Sequence, residues 1–409
     1  MRVVGEVRAL NGDEAVAYAV RQCNVDVISA YPITPQTIIV ERLSEYVANG
    51  EIHTEYVNVE SEHSALSTCI GAAAAGARAF TATSSQGLAL MWELLYVASG
   101  LRLPIVMAVV NRALSAPINI HCDHSDSIGT RDSGWIQFYV ENSQEAYDTV
   151  IQAFKIAEHP DVQLPVMINL DGFYLSHTLE NVRVLPDDVV SGFVGFRKPV
   201  KVWVPYLGRE VPAVLDGYTP ISLGIIALSD YYYEFKMMVI KAMEKAREVI
   251  KEVNKEFSEL SGRAYGDGFL THYGVDDAEA VLIVMGSAAG TVRYVARELR
   301  RNGLRVGVIR LRTFRPFPYE ELTKLLKDVK AVGVMDRATS PGAYGAPLFN
   351  EVRTALYDCE SRPVVVNYVY GIGGRDLSPH TVKELYSDLL EIAKGKKPSS
   401  IVRYVGVRS

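Results

Sequence analysis

Short apolar runs rich in β-branched residues alternate with segments of helical periodicity in the first part of the chain. The strand-like runs occupy residues 25–33, 55–59, 77–83, 105–110 and 164–170. Apolar positions recur at helical spacing over residues 13–22, 35–48, 61–75, 88–98 and 144–157. Apolar strands that alternate with helices form parallel sheets covered on both faces, so this pattern predicts an α/β domain with a parallel sheet.

The alternation stops in the middle of the chain and then resumes. Residues 186–230 contain prolines and little periodicity, and residues 231–261 have the spacing of one long, charged amphipathic helix. Further strands are predicted at 280–285, 305–311, 331–336 and 364–370, and further helices at 292–302, 348–356 and 381–394. We therefore predict a parallel-sheet domain at 1–185, a connecting segment at 186–274 and a smaller α/β domain at 275–409.

Composition narrows the class of protein. The net charge of −6 does not favour a nucleic-acid partner, no apolar run reaches the ~20 residues of a membrane span, and the N-terminus lacks a signal-peptide pattern. We expect a cytoplasmic protein that binds neither nucleic acid nor membrane. The cysteines form no CxxC pair, so neither an iron–sulfur cluster nor structural zinc is expected in this chain. They are Cys23, Cys69, Cys122 and Cys359.

Polar residues follow the carboxyl ends of all the strands predicted in the first domain. Open parallel sheets form their binding sites at this edge, so the pattern predicts a pocket. The polar segments are 31–37 (YPITPQT), 59–65 (VESEHSA), 81–87 (TATSSQG), 111–119 (NRALSAPIN) and Asp171-Gly172.

Three of these residues have a structural interpretation beside a functional one. Thr34 either caps a helix that begins at Pro35 or presents its hydroxyl to a substrate carboxylate or carbonyl. Glu62 either opposes a helix dipole or exchanges protons with a heterocycle nitrogen. Arg112 either forms a surface ion pair or binds a planar carboxylate through two parallel hydrogen bonds.

Two polar segments have weaker indications. Ser84, Ser85 and Gln86 form a polar turn that either caps the next helix or lines the pocket. Residues 121–127 (HCDHSDS) mix metal-ligand types, but the histidines lack a fixed helical spacing. We therefore predict no metal site in this chain.

Taken together, six motifs resemble one known family. They are AYPITPQT (30–37), VESEHSA (59–65), TATSSQGLALM (81–91), NRALSAPINI (111–120), RDSGWIQFYVENSQEAYD (131–148) and YGIGGRD (370–376). In this order they resemble the α subunit of archaeal-type 2-oxoacid:ferredoxin oxidoreductases, of the pyruvate type. The resemblance covers nearly the whole chain, and the motifs are specific only in combination. It implies a thiamine-diphosphate pyrimidine-binding domain followed by a smaller transketolase C-terminal-like α/β domain.

The resemblance also implies cofactors, partners and a reaction. Thiamine diphosphate is shared with a β subunit, which supplies the diphosphate and Mg²⁺ site. The γ and δ subunits supply contacts to CoA and the iron–sulfur clusters, and ferredoxin accepts the electrons. In agreement with this division, Gly266-Asp267-Gly268 begins like the metal–diphosphate motif of thiamine enzymes but lacks the asparagine that should follow, so we interpret it as a turn. The implied reaction is the oxidative decarboxylation of pyruvate to acetyl-CoA and CO₂, or its reverse, in the assembled complex.

By similarity, Glu62 is the glutamate that hydrogen-bonds N1′ of the cofactor's aminopyrimidine. Glu60 is a rival, but SEHSA aligns with the family's SEAGA pattern on Glu62. We expect Ser84, Ser85 and Gln86 to line the same cofactor site.

The substrate side is assigned in the same way. Arg112 resembles the arginine that holds the substrate carboxylate, and Thr34 resembles the threonine near the substrate carbonyl. Asn119 resembles a further polar residue of the active site. Three alternatives stay open: the same enzyme class acting on 2-oxoisovalerate or 2-oxoglutarate, a transketolase-like or dehydrogenase E1-type subunit, and a non-catalytic scaffold.

Overall fold

The computed structural model describes residues 5–218 and 221–408 and contains two large open sheets. The strands are β1 (Glu6–Leu10), β2 (Val27–Ala30), β3 (Glu55–Asn58), β4 (Ala79–Thr83), β5 (Ile105–Asn111), β6 (Ile136–Tyr139), β7 (Val166–Asp171), β8 (Glu180–Val184), β9 (Lys201–Val204), β10 (Arg209–Pro212), β11 (Leu270–Tyr273), β12 (Ala280–Met285), β13 (Val306–Leu311), β14 (Thr313–Arg315), β15 (Ala331–Asp336), β16 (Val364–Val369) and β17 (Val402–Tyr404). The helices are α1 (Gly12–Gln22), α2 (Thr37–Ala48), α3 (Glu62–Ala74), α4 (Ser85–Leu90), α5 (Trp92–Gly100), α6 (Ser125–Gly129), α7 (Ser143–Ala157), α8 (Asp187–Val194), α9 (Tyr232–Ser261), α10 (Ala288–Arg301), α11 (Tyr319–Leu326), α12 (Pro347–Leu356) and α13 (Pro379–Ala393). Within these described ranges, no helix has the length and apolar character needed to cross a membrane.

The first sheet has seven strands in the order β14-β6-β7-β5-β4-β2-β3. Strands β2 to β7 run in parallel, and β14 pairs antiparallel to β6 at one edge. Alternate residues of β5 face opposite cores: Val106 and Ala108 pack with α1 and α7, whereas Ile105 and Met107 pack with α3 and α5. Because both of its faces are covered, β5 is buried along its whole length and apolar up to its last residue.

The second sheet has six strands in the order β11-β13-β12-β15-β16-β17. All its pairs are parallel except that of β11 with β13. Helices α11 and α12 pack on one face through residues such as Leu322 and Phe349, and α10 and α13 pack on the other through residues such as Val292 and Tyr386. The predicted α/β fold with parallel sheets is confirmed in both units.

A buried ion-pair cluster joins the second sheet to helix α7. Glu145 accepts hydrogen bonds from both terminal nitrogens of Arg310, at 2.8 and 2.6 Å, and from Nε of Arg312 at 3.0 Å. All three side chains are almost completely buried. The two units therefore contact each other through a charged interface in which the carboxylate is fully used.

Each strand predicted from the sequence is present in the structure, but several other elements differ from the prediction. The helix predicted from residue 35 begins at Thr37, and the one predicted at 88–98 is divided into α4 and α5. Residues 186–230 show little periodicity, yet α8 and the β9–β10 hairpin lie within this range. Strand β6 escaped prediction because Gln137 interrupts its apolar run; this side chain is buried and donates to the Ser127 carbonyl at 3.0 Å.

Candidate functional site

The carboxyl ends of β3, β2, β4 and β5 lie side by side at one edge of the first sheet. Glu62 follows β3, Thr34 follows β2, Ser84 follows β4 and Arg112 follows β5. The parallel topology therefore brings together segments that are far apart in sequence.

Glu62 is the first residue of α3, and its side chain is buried at this edge. It is 8% exposed, and its carboxylate hydrogen-bonds to no other residue within the described ranges. A methyl group at Gly87 would lie 2.7 Å from Glu62 Oε1 and 2.5 Å from Thr83 Oγ1, so only glycine allows α4 to approach so closely. Favourable interaction with a helix dipole does not require burial, so that interpretation does not account for the location of Glu62.

The rival glutamate lies in a different environment. Glu60 is exposed and accepts a hydrogen bond from the Ser64 hydroxyl in the first turn of α3. This bond lowers the pKa of Glu60 below its usual value. Glu60 therefore belongs to the solvated start of the helix, and Glu62 is the glutamate that the sheet edge encloses.

Arg112 is buried without a charged partner. It is 7% exposed; Nη1 donates to the Thr34 carbonyl at 3.0 Å and Nε to the Asn119 carbonyl at 3.2 Å. Its guanidinium forms no ion pair with any residue in the part of the chain that the structure describes, and Nη2 has no hydrogen-bond partner there. The surface ion-pair interpretation of Arg112 is therefore wrong, and an anion would complete this environment.

The helix-cap interpretation of Thr34 is also wrong. Helix α2 begins at Thr37, and its N-cap residue Gln36 makes no side-chain capping bond. Instead, Gln36 Nε2 donates to the carbonyls of Tyr31 at 3.0 Å and Ala82 at 2.9 Å, which ties the YPITP turn to β4. Thr34 lies in this turn with its side chain exposed, while its backbone carbonyl holds Arg112.

The three residues predicted to line the cofactor site differ in their contacts. Ser84 is the N-cap residue of α4 but makes no capping bond, so the capping interpretation is wrong for it. Its Oγ, like Nε2 of Gln86, is buried without a partner among the described residues. The Ser85 hydroxyl lies 2.8 Å from the Ala113 carbonyl and 2.6 Å from the Gln86 amide oxygen. Thus Ser84 and Gln86 retain unused polar atoms, whereas Ser85 connects two loops.

Asn119 is held in place by its neighbours. Its Nδ2 donates to the Gly373 carbonyl at 2.9 Å, and its Oδ1 accepts from the His121 amide at 2.8 Å. The side chain thus fixes the loop after β5 to the YGIGGRD segment of the second unit, and the backbone carbonyl of Asn119 fixes Arg112.

Cys122 and His124 of the HCDHSDS segment meet Asp171, and three potential ligand atoms lie within 4.8 Å of one another. However, Asp171 already accepts from His124 Nε2 at 2.7 Å and from Arg337 Nη1 at 2.9 Å. Burial disfavours the charged acid, but these two neighbours outweigh it and hold the pKa of Asp171 well below its usual range. An adjacent guanidinium also repels a cation, so we do not assign a metal site here.

The Gly266-Asp267-Gly268 triplet forms a turn, as predicted. Both glycines have positive φ, at 58° and 94°, and Asp267 Oδ1 accepts the amides of Phe269 at 2.9 Å and Leu270 at 3.1 Å. The carboxylate is therefore engaged in starting β11.

Thr83 and Gly87 belong to the site but were not singled out from the sequence. Thr83 Oγ1 is buried without a partner among the described residues, and Gly87 leaves open the space between that hydroxyl and Glu62. The available signal was a glycine four residues after a threonine at a strand end, which becomes informative only once Glu62 is known to lie opposite. Thr83 Oγ1 and the Glu62 carboxylate thus lie on either side of Gly87 with hydrogen-bonding capacity left for a ligand.

The fold and this edge are typical of an α/β protein that binds its ligand at the carboxyl ends of parallel strands. A family model described as "Pyruvate flavodoxin/ferredoxin oxidoreductase, thiamine diP-bdg" matches residues 18–255, and "Pyruvate:ferredoxin oxidoreductase core domain II" matches residues 278–382. The chain therefore belongs to the pyruvate:ferredoxin oxidoreductase family, and it is an oxidoreductase subunit. The resemblance inferred from the motifs is confirmed, as is the expected combination of a thiamine-diphosphate-binding domain with a second α/β domain.

Individual relatives agree with this assignment. The chain is 51% identical over 407 residues to pyruvate synthase subunit PorA of Thermotoga maritima, covering 100% of this chain and 99% of that protein. It is 45% identical over 390 residues to ketoisovalerate oxidoreductase subunit VorA of Pyrococcus abyssi, covering 95% of each. The solved 2-oxoglutarate:ferredoxin oxidoreductase of Magnetococcus marinus superposes with a TM-score of 0.71 at 21% identity, over 94% of this chain and 65% of that one. At that identity the superposition concerns the fold alone.

Proposed function

We propose that this chain is the α subunit of a CoA-dependent pyruvate:ferredoxin oxidoreductase, which decarboxylates pyruvate oxidatively to acetyl-CoA and CO₂ or runs the reverse reaction. One observation carries the proposal. Among residues 5–218 and 221–408, the buried Glu62 carboxylate has no hydrogen-bond partner and the buried Arg112 guanidinium has no ion-pair partner, and both lie on one edge of the sheet. Both groups are costly to bury unless ligands complete them.

Glu62 would hold the aminopyrimidine at its N1′, with Thr83, Ser84 and Gln86 offering their unpartnered polar atoms around the ring. When bound, thiamine diphosphate supplies a nucleophilic carbon that attacks the 2-oxo group and takes up electrons. Within this chain, Glu62 holds or releases the proton at N1′, and its burial strengthens that interaction.

Arg112 would bind the substrate carboxylate through Nη2 and the remaining hydrogen of Nη1. Its other donors are fixed by backbone carbonyls, so the guanidinium is oriented before substrate arrives. The exposed Thr34 hydroxyl would face the substrate beside its carbonyl, and Asn119 would act by holding the loop that carries Arg112.

Partner subunits would complete the enzyme. Asp267 is used in a turn, so we assign the diphosphate and Mg²⁺ site to a β subunit. The cysteines of this chain are separate and free, so we assign the iron–sulfur clusters to γ and δ subunits, which pass electrons to ferredoxin. Exposed apolar side chains such as Tyr218, at 95%, and Ile226, at 89%, are consistent with buried contacts in such an assembly. We place this assembly in the cytoplasm.

We also propose that the chain divides into a pyrimidine-binding domain at 1–185, a connecting segment at 186–274 and a transketolase C-terminal-like domain at 275–409. Strand β14 belongs to the last range in sequence but extends the first sheet. This exchange would make the two domains depend on each other for folding.

The second candidate function is that of a 2-oxoacid:ferredoxin oxidoreductase α subunit acting on 2-oxoisovalerate, because the ketoisovalerate oxidoreductase subunit VorA is 45% identical to this chain. One methylene in a substrate pocket is worth only about 1–3 kcal/mol, so a few residues would decide between the acids.

The test is to co-express the chain with its β, γ and δ partners and to assay several 2-oxoacids with CoA and a viologen dye. Highest kcat/KM with pyruvate supports the proposal. Preference for a branched acid selects the second candidate, and activity that requires a lipoyl acceptor instead of the dye would place the chain with E1-type enzymes.

A further inference from the structure

Asp126 is a buried carboxylate that contacts two loops of the candidate site, in the first turn of α6. It is 3% exposed and accepts four hydrogen bonds. Its Oδ2 accepts the backbone amides of Ser85 and Arg112, both at 3.0 Å. Its Oδ1 accepts Asn111 Nδ2 at 2.8 Å and the Ser127 amide at 2.7 Å.

The single oxygen Oδ2 thus joins two loops with different predicted tasks. Ser85 opens α4, which carries the wall around Glu62, and Arg112 follows β5 on the substrate side. Ser85 also has a φ of 47°, a left-handed conformation that residues other than glycine rarely adopt. This conformation is the one in which the Ser85 amide reaches Asp126 while its hydroxyl lies against the Ala113 carbonyl.

No cation within the described ranges pairs with Asp126, so its charge is balanced by N–H groups alone. Burial raises the pKa of Asp126 to about 6, although its hydrogen bonds oppose the shift, and the carboxylate is therefore the form present at neutral pH. A neutral acid could not accept all four donors at these positions.

We propose that Asp126 is a positioning residue for the reaction. Its Oδ2 binds the backbone amides of Ser85 and Arg112 and thereby sets the distance between the start of α4, which borders Glu62, and the Arg112 guanidinium. The inference rests on the proposed function, since it assigns Arg112 to the substrate. It gives the HCDHSDS segment a role other than metal binding.

The test uses the assembled complex with Asp126→Asn, and with Asp132→Asn as the matched control, because the Asp132 side chain is 70% exposed in the same region. The variants are compared by pyruvate KM, kcat, affinity for thiamine diphosphate and Tm. We expect Asp126→Asn to raise pyruvate KM at least about tenfold with little change in Tm, because small misplacements of positioning groups cost up to ~100-fold. Asp132→Asn should match the wild type.

A double-mutant cycle with Arg112→Ala separates positioning from general support. If Asp126 acts through Arg112, Asp126→Asn should change kcat/KM less than about twofold in the Arg112→Ala background. Multiplicative effects, an unchanged KM, or a loss of activity that only follows a fall in Tm would overturn the inference. Should Asp126→Asn fail to assemble, Asn111→Ala removes one donor from the same carboxylate and should raise KM in the same direction; an unchanged KM would then overturn it. Failure of the proposed function is distinguishable, since the wild-type complex itself would then not turn over pyruvate.

Discussion

Buried charges lie in two regions of this molecule, and their partners differ. At the joint between the two units, Glu145 is surrounded by the guanidinium groups of Arg310 and Arg312. At the edge of the first sheet, Glu62 lacks a hydrogen bond and Arg112 contacts only backbone carbonyls among the described residues. In the first region each buried charge has its partners, so removing one partner would destabilise the fold, whereas the buried charges of the second region leave hydrogen-bonding capacity for a ligand. Whether a buried charge has a protein partner therefore distinguishes a structural region from a functional one, whereas burial alone does not distinguish them.

The largest effect should come from removing the acid at the sheet edge. Glu62→Gln keeps the shape but cannot hold or release a proton, so we expect turnover of the assembled complex to fall about 10²–10⁴-fold. Tm and assembly should not change, because no protein partner is lost. The matched control is Glu60→Gln, which alters the exposed rival and should retain activity. Near-normal turnover of Glu62→Gln would contradict the role of this residue.

Removing the acid at the joint should have the opposite consequence. Glu145→Gln leaves Arg310 and Arg312 buried without their carboxylate, so we expect a loss of roughly 3–5 kcal/mol in stability. Thermal unfolding and subunit assembly report this loss, while any folded complex should retain its pyruvate KM. Glu248→Gln, in an exposed pair with Lys245, is the control and should leave unfolding unchanged. If Glu145→Gln instead preserved Tm and impaired substrate binding, the distinction between the regions would fail.

Arg112→Ala tests the unpaired guanidinium. A hydrogen bond to a charged group is worth about 1.5–3 kcal/mol, so we expect kcat/KM for pyruvate to fall roughly 10- to 100-fold. Assays across substrate concentration separate this from a change in cofactor affinity, which should stay near the wild-type value. Arg301→Ala, on the exposed end of α10, serves as the control. Unchanged substrate kinetics would leave Arg112 with a structural role only.

Gly87→Ala tests whether Gly87, which lies between Glu62 and Thr83, borders the aminopyrimidine ring of the cofactor. The added methyl group would lie within 2.8 Å of both Glu62 and Thr83, so the side chains must shift or the cofactor must bind less tightly. We expect about a tenfold loss of thiamine diphosphate affinity, measured by titration of the assembled complex. Gly100→Ala has open space around it and should behave as the wild type. Equal cofactor affinities of the two variants would show that Gly87 does not border the ring.

The sequence could locate those site residues that directly follow a strand with a recognisable apolar pattern. Glu62 and Arg112 each follow a predicted strand, and parallel strands end at one edge, so their location at the same sheet edge was predictable. Their roles stay predictions. Three of the four donors to Asp126 could not be predicted, because Ser85, Asn111 and Arg112 lie 14 to 41 residues from it in sequence and meet it only in three dimensions. The β9–β10 hairpin was missed because its strands are short and largely exposed, which removes the apolar signal.

Asp336 is a third kind of buried acid: it is hydrogen-bonded, but its pKa lies close to neutral pH. Changing the pH therefore tests whether hydrogen bonds or burial decide the charge of a buried carboxylate. Asp336 ends β15 and accepts the amides of Leu348 at 2.8 Å and Phe349 at 3.1 Å and Asn367 Nδ2 at 2.8 Å. Burial nevertheless outweighs these bonds and raises the pKa of Asp336 to about 7.

The folded protein therefore binds this proton more tightly than the unfolded chain, whose aspartates titrate near pKa ~3.9. The stability due to protonated Asp336 is fully present below that value and is lost as pH rises towards about 7. Asp336→Asn removes the titration, so the Tm of the wild type minus that of the variant should decrease by a few degrees across this interval. Asp328→Asn, an exposed carboxylate, should track the wild type at each pH. A difference between wild type and Asp336→Asn that stays constant with pH would mean that Asp336 is as fully satisfied as Glu145, and that its hydrogen bonds, not its burial, decide its charge.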